Sequence, residues 1–153
     1  MSTTKAVSTI HLEWKGDRRF DTGRPGGPTL RLDGNAETGQ SPVDALMSAL
    51  TACTAVDVVE ILAKRRTPLA ALSIDTVGTR AEIVPKRVVS VLLTYHLTGE
   101  GIDRLHAERA VELAITKYCS VRDSLDPALP VYFCVVLNGT VGDTTLAGAA
   151  ASV

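Results

Sequence analysis

The chain has 153 residues, 45% of them hydrophobic and 22% charged, with a net charge of -1; these are values of one globular domain, not of a disordered segment. With neither a basic arm nor a block of like charge, it lacks the concentrated cationic surface that nucleic acid demands. Aromatics are only 4%, so the core must be built from Leu, Val, Ile and Ala. Three cysteines without an apolar N-terminal signal segment point to a reducing, cytoplasmic setting, where a disulfide would be catalytic or redox-sensing.

Residues 6–14 and 17–21 alternate loosely between apolar and polar, with a turn signal at Gly16-Asp17 between them. A Gly/Pro-rich loop over 23–28, a short strand over 29–32 and a polar loop running to Gln40 complete a region of antiparallel hairpins. Ser41 then fits an N-cap, Pro42 the first helical position and Asp44 the reciprocal carboxylate of a capping box. Good helix formers continue to about Arg66 and Pro68 stops them, which gives a helix about 35 Å long. It is apolar on nearly every side, but Asp57 and Glu60 interrupt it, and two unpartnered carboxylates are too costly for a lipid span. A buried helix is expected, and because this chain has too few bulky side chains to cover both faces, so is a second copy packed on it. Lys64-Arg65-Arg66 complements the helix C-terminus.

Residues 72–81 and 87–97 read as strands of period two joined near Pro85. Asp103 caps a helix to about Tyr118, Ser120-Val121-Arg122-Asp123 resembles a capping box opening a short helix to Leu125, and Val131 to Leu137 is a continuously apolar strand. The Gly, Ala and Thr of 142–153 suggest a flexible tail after a single domain over 1–141. Segregated strands and helices indicate an α+β fold with largely antiparallel sheet.

The chemistry rests on cysteine. Cys134, in VYFCVVL, reads as a small hydrophobe in a buried strand. Cys53 lies in an apolar helix and Cys119 before a helix start; such a pair is either packing or a redox couple. Cys53 is mid-helix, beyond the help of the dipole, and Asp57 one turn on would raise its pKa. Cys119 has Lys117 and Arg122 near it, so local reasoning makes Cys119 the more acidic thiol. The spacing of Cys53 and Cys119, and of His11, His96 and His106, matches no zinc pattern. A papain-like hydrolase would need a nucleophile loop that is not recognisable here. Neither a metal nor another cofactor is expected.

The ordered segments SPVDALMSALTACTAVDVVEILAKRRTPL, RAEIVPKR, HLTGEGID and ELAITKYCSVRDSL together resemble the OsmC/Ohr family, over roughly Trp14 to Leu137 and most closely its OsmC-like branch. The resemblance implies an OsmC-like α+β fold, with antiparallel sheets around a long central buried helix, in an intertwined homodimer. It also implies a thiol peroxidase acting on organic, lipid-derived hydroperoxides in stress defence. Cys53 matches the peroxidatic cysteine and Cys119 the resolving one, and a dithiol reductant, lipoyl or thioredoxin-like, would reduce the resulting disulfide. The attack thus goes to Cys53, against the local ranking.

Peroxidases of this family pair the reactive cysteine with an N-terminal arginine and with a glutamate just after the helix-opening proline. Here that glutamate position is Val43, and the carboxylate stands one residue later and shorter, at Asp44. Arg19, with its neighbour Arg18, is a candidate for the arginine; Arg80 is another. The expectation is therefore a dimeric cysteine peroxidase using Cys53, Cys119, Arg19 and Asp44, with Arg18 and Arg80 as possible thiolate partners. The competing readings are a dimeric stress-related binding protein with an apolar interface pocket and inert thiols, and a thiol hydrolase or acyl carrier. Neither nucleic acid nor membrane is expected as a partner.

Overall fold

A computed structural model describes residues 4–149. The chain divides into two compact units, one ending at Leu46 and the other beginning at Met47.

The first unit is an antiparallel meander of β1 (His11–Trp14), β2 (Arg19–Gly23) and β3 (Thr29–Asp33). Gly16 and Asp17, with φ of 94° and 48°, make the tight reversal between β1 and β2, and the Trp14 indole donates to the Asp17 carbonyl at 2.9 Å. At the end of β3 the Asp33 carboxylate is 1% exposed. It accepts from the N–H groups of Asn35 and Thr38 at 2.8 and 3.0 Å and from the Thr38 hydroxyl at 2.8 Å. These donors, Asn35 first, hold its pKa down at about 2.

Helix α1 spans Pro42–Lys64. Its start is the capping box read from sequence: the Asp44 N–H donates to Ser41 Oγ and the Ser41 N–H to Asp44 Oδ2, both at 3.2 Å. Its end is a Schellman closure, with Thr67 N–H donating to the Leu62 carbonyl at 3.1 Å and Arg66 N–H to that of Ala63 at 3.0 Å. Arg66 takes the left-handed conformation, φ 62°, and Pro68 prevents any continuation.

The second unit carries most of α1 and a five-stranded sheet. Its elements are β4 (Ala71–Arg80), β5 (Val88–Thr98), α2 (Arg104–Leu113), a π-helical turn (Ala114–Tyr118), α3 (Ser120–Asp123), β6 (Val131–Leu137), β7 (Thr140–Val141) and β8 (Thr145–Leu146). Strand order is β4-β5-β6-β7, with β8 also on β6. β4 and β5 are antiparallel as expected, but β5 and β6 run parallel. The helical segment between them is the crossover that a parallel pair requires. The expected tail is also changed: Thr145 and Leu146 pair with Phe133 and Tyr132, because β6 still had an edge with free backbone groups to satisfy. Residues 150–153 of that stretch lie outside the described residues.

The core joins Leu50, Val58 and Leu62 of α1 to Val91, Leu93, Tyr95 and Leu97 of β5, with α2 and β6 closing it. Alternation along β5 puts every second residue inward. Two polar bonds set α1 on the sheet: Thr51 Oγ1 meets Thr76 Oγ1 at 2.6 Å, and Thr54 Oγ1 meets the Tyr95 hydroxyl at 2.7 Å. Along the opposite side of α1, Ala49, Ala52, Val56, Val59 and Ala63 are exposed at alternating three- and four-residue spacing. Val56 is 58% and Val59 45% exposed.

Candidate functional site

Cys53 takes its place from its neighbours on α1. Thr54 is wholly buried and held by Tyr95, and Thr51 is held by Thr76, so the turn that carries Cys53 is fixed in rotation and height. The thiol itself is half-buried.

Cys119 is brought to it by the irregular end of the second helical segment. After α2 the chain widens into a π turn, and the Cys119 N–H donates five residues back to the Ala114 carbonyl at 3.0 Å. Cys119 then leaves the helix in an extended conformation and becomes the N-cap of α3, its Sγ accepting from the Arg122 N–H at 3.2 Å. Sequence placed this cap at Ser120, one residue too late. A thiol is a weak acceptor and is seldom read as a cap, but it serves as one here.

The two thiols lie near enough for each to shift the other's pKa. Around Cys53, burial alone would raise the thiol's pKa; the Val121 N–H, the Cys119 side chain and the hydroxyl and N–H of Ser120 outweigh it and bring the pKa below its ordinary value. Cys119 goes the other way. Burial, with the sulfur of Cys53 beside it, pushes its thiol up to about 11 against the opposing Arg122 N–H. Cys53 is thus the more acidic of the two thiols and Cys119 the one that holds its proton more tightly.

This corrects the local ranking, which made Cys119 the more acidic. Cys119 is only 3% exposed; at the start of α3 Ser120 acts on Cys53, the Arg122 N–H on Cys119 and the Val121 N–H on both, and for Cys119 they do not offset burial. The cations counted for Cys119 are occupied elsewhere. The Arg122 guanidinium donates to the carbonyls of Asp126, Pro127 and Leu129 at 3.1, 3.4 and 2.9 Å, and the Lys117 ammonium lies 5.3 Å from the centre of the Tyr118 ring. Ser120 and Val121 were missed as site residues. The one signal for them was their position immediately after the second cysteine at a helix start.

The remaining candidates are each engaged with partners of their own. Arg19 Nε lies 3.8 Å from the Asp33 carboxylate and Arg18 donates to Asn35 Oδ1 at 3.1 Å, both inside the first unit. Asp44 is engaged in the capping box. Arg80 donates to the Lys86 carbonyl across the loop that follows β4. Cys134 is buried, as expected of a core residue, and its thiol donates to the Gly142 carbonyl at 3.4 Å.

A family model described as OsmC-like protein matches residues 34–133. The chain belongs to the OsmC-like family. Protein YhfA of Escherichia coli is 31% identical over 106 residues, which cover 69% of this chain and 79% of YhfA. Among solved structures, a hypothetical protein from Aquifex aeolicus superposes with a TM-score of 0.78 at 26% identity, covering 88% of this chain and 98% of that one. An organic hydroperoxide resistance protein OsmC from Legionella pneumophila gives 0.60 at 17% identity, with 86% and 98% covered. The latter likeness is one of fold. The OsmC-like fold expected from sequence is the one observed.

Proposed function

We propose that this OsmC-like chain is a thiol peroxidase that reduces organic hydroperoxides through Cys53 and Cys119. The observation that carries the proposal is the neighbouring pair of thiols, each shifting the other's pKa, with the lower pKa on Cys53. The Cys53 thiolate attacks the outer oxygen of the peroxide, the O–O bond breaks, and the alcohol leaves once its alkoxide is protonated. Cys53 is then a sulfenic acid. Cys119 attacks that sulfur, water leaves, and a Cys53–Cys119 disulfide remains for a dithiol to reduce. The apolar surroundings of Cys53 suit an alkyl hydroperoxide better than hydrogen peroxide, since binding would bury the alkyl group.

In this reading the thiolate is held by neutral donors at the start of α3, which compensates for Val43 in place of the family's glutamate. Asp44 acts as the helix cap. The exposed apolar seam of α1, spaced as in a helix–helix contact, is where a second copy packs to give a homodimer. Three free thiols suit the cytoplasm, and the relative from Legionella named for organic hydroperoxide resistance agrees with the stress-defence role.

Val43 also favours a second reading, a dimeric binding protein with inert thiols. One experiment separates the two: reduced protein is mixed with cumene hydroperoxide, with hydrogen peroxide or with neither, and thiol loss and the Cys53–Cys119 disulfide are followed by mass spectrometry. The peroxidase forms the disulfide fastest with cumene hydroperoxide, stops at a sulfenic acid in Cys119→Ser, and is unreactive as Cys53→Ser. Disulfide formation no faster than in the unoxidised control establishes the binding protein instead.

A further inference from the structure

Strands β4 and β5 run as a regular ladder to the pair Thr79 and Ser90, and the register then shifts at Arg80. Beyond it the Ala81 N–H donates to the Arg87 carbonyl at 2.9 Å, the Arg87 N–H to that of Pro85 at 2.7 Å, and Arg80 Nε to that of Lys86. These bonds close the loop of residues 82–86 on itself, and every residue in it is exposed. Two of them are aliphatic. Ile83 is 79% exposed and Val84 86%, the highest value among the large apolar residues described. Around them stand three exposed cations, Arg80, Lys86 and Arg87, against one carboxylate, Glu82. The tip of the hairpin therefore carries a net charge of +2 in a chain whose total is -1.

We propose that this hairpin tip docks the protein on an anionic lipid surface. Ile83 and Val84 enter the boundary between headgroups and acyl chains, and Arg80, Lys86 and Arg87 meet the lipid phosphates around them. The long stems of lysine and arginine let their charged ends stay at the headgroup level while the apolar tip goes deeper. The contact is peripheral. The sequence gave no reason to expect a membrane, because Asp57 and Glu60 of α1 forbid a lipid span; a surface contact makes no such demand. No thiol takes part, so docking is independent of the proposed function.

Size and charge choose a bilayer over a second protein. Two aliphatic side chains and a proline fall far short of the roughly 800 Å² a side that a stable protein interface needs. A bilayer accepts a narrow apolar wedge and adds the attraction of every cation beside it. A second copy of this chain carries a net charge of only -1, whereas an anionic leaflet presents negative charge across its whole surface. Single exposed apolar residues are ordinary. Here two adjoin at the end of a hairpin whose backbone is tied to itself, and the loop cannot fold them back onto the sheet without breaking those bonds.

The test sediments the full chain with vesicles of phosphatidylcholine containing about one-third phosphatidylserine, and with vesicles of phosphatidylcholine alone, in low salt. The protein should bind the anionic vesicles and not the neutral ones, and should be released as salt screens the attraction. Lys86→Gln and Arg87→Gln should each lower the partition coefficient about fivefold, and Glu82→Gln should raise it by a similar factor. Ile83→Ser combined with Val84→Ser should lower it about tenfold with every charge in place. All of these positions are exposed, so circular dichroism and thermal unfolding should not change. Absence of binding to the anionic vesicles, binding that ignores lipid charge, or binding unaffected at Ile83 and Val84 overturns the proposal. A shift from dimer to monomer in the Ile83 and Val84 variant also overturns it, because the tip would then join two copies of the chain. A protein that docks on vesicles but leaves cumene hydroperoxide untouched keeps the inference and loses the peroxidase reading.

Discussion

Ser120→Ala removes one donor from the Cys53 thiolate and leaves the backbone N–H groups of Ser120 and Val121 in place. A hydrogen bond to a charged group is worth about 1.5–3 kcal/mol. Ser120 is exposed, so water competes for the same sulfur and the low end applies. At 1.36 kcal/mol per unit, the Cys53 pKa should rise by about one unit. The thiolate is the reactive form, so its rate falls as pH drops through the folded pKa; raising that pKa moves the whole limb to higher pH. Below both pKa values the variant should alkylate about tenfold more slowly at Cys53, and well above both the two proteins should agree. Iodoacetamide labelling from pH 5 to 10 (buffer range), read at the Cys53 peptide, gives the curve free of Cys119. Ser120→Thr restores a hydroxyl and should restore the limb. A limb displaced by less than about 0.3 unit in Ser120→Ala would show that the hydroxyl does not hold the thiolate, and the estimate built on charged hydrogen bonds would fail.

Further substitutions test the frame around the pair. Tyr95→Phe removes the hydroxyl that meets Thr54 at 2.7 Å; urea unfolding should register a loss of about 1 kcal/mol. Val56→Lys places a charge in the exposed apolar seam of α1, and sedimentation should show a shift from dimer to monomer. Asp44→Ala breaks the reciprocal cap with Ser41. It should cost about 1 kcal/mol in thermal unfolding and leave the Cys53 labelling curve where it was, whereas a thiolate partner would move it.

The helix α1 was legible almost to the residue because its signals are local: Ser41, Pro42 and Asp44 at one end and Pro68 at the other. The strands were legible for a similar reason, since the period-two pattern of β5 directly records which side chains face the core. The parallel pairing of β5 with β6 was not, because it depends on how the crossover returns the chain, and the apolar run of β6 reads the same in either direction. Thr145 and Leu146 looked like tail because their residues carry no strand signal; a free edge on β6 recruits them.

The site divides along the same line. Both cysteines were named from sequence, but their acidity was ranked wrongly, since sequence neighbours stood in for spatial ones. Lys117 and Arg122 are adjacent in the chain and spent on Tyr118 and on three carbonyls. The donors that matter to Cys53 come from Ser120 and Val121, far from it in sequence. A π turn, which shifts Cys119 one position against the regular helix, brings them there, and no residue type announces such a turn.

The central claim is that Cys53 is oxidised by an organic hydroperoxide and resolved by Cys119. The most direct measurement is the rate at which reduced wild-type protein consumes one equivalent of cumene hydroperoxide, set against hydrogen peroxide under the same conditions. The account predicts that cumene hydroperoxide is consumed faster, mole for mole with loss of two thiols, and that Cys53→Ser consumes none. Equal consumption by Cys53→Ser, or none by the wild type, would contradict it.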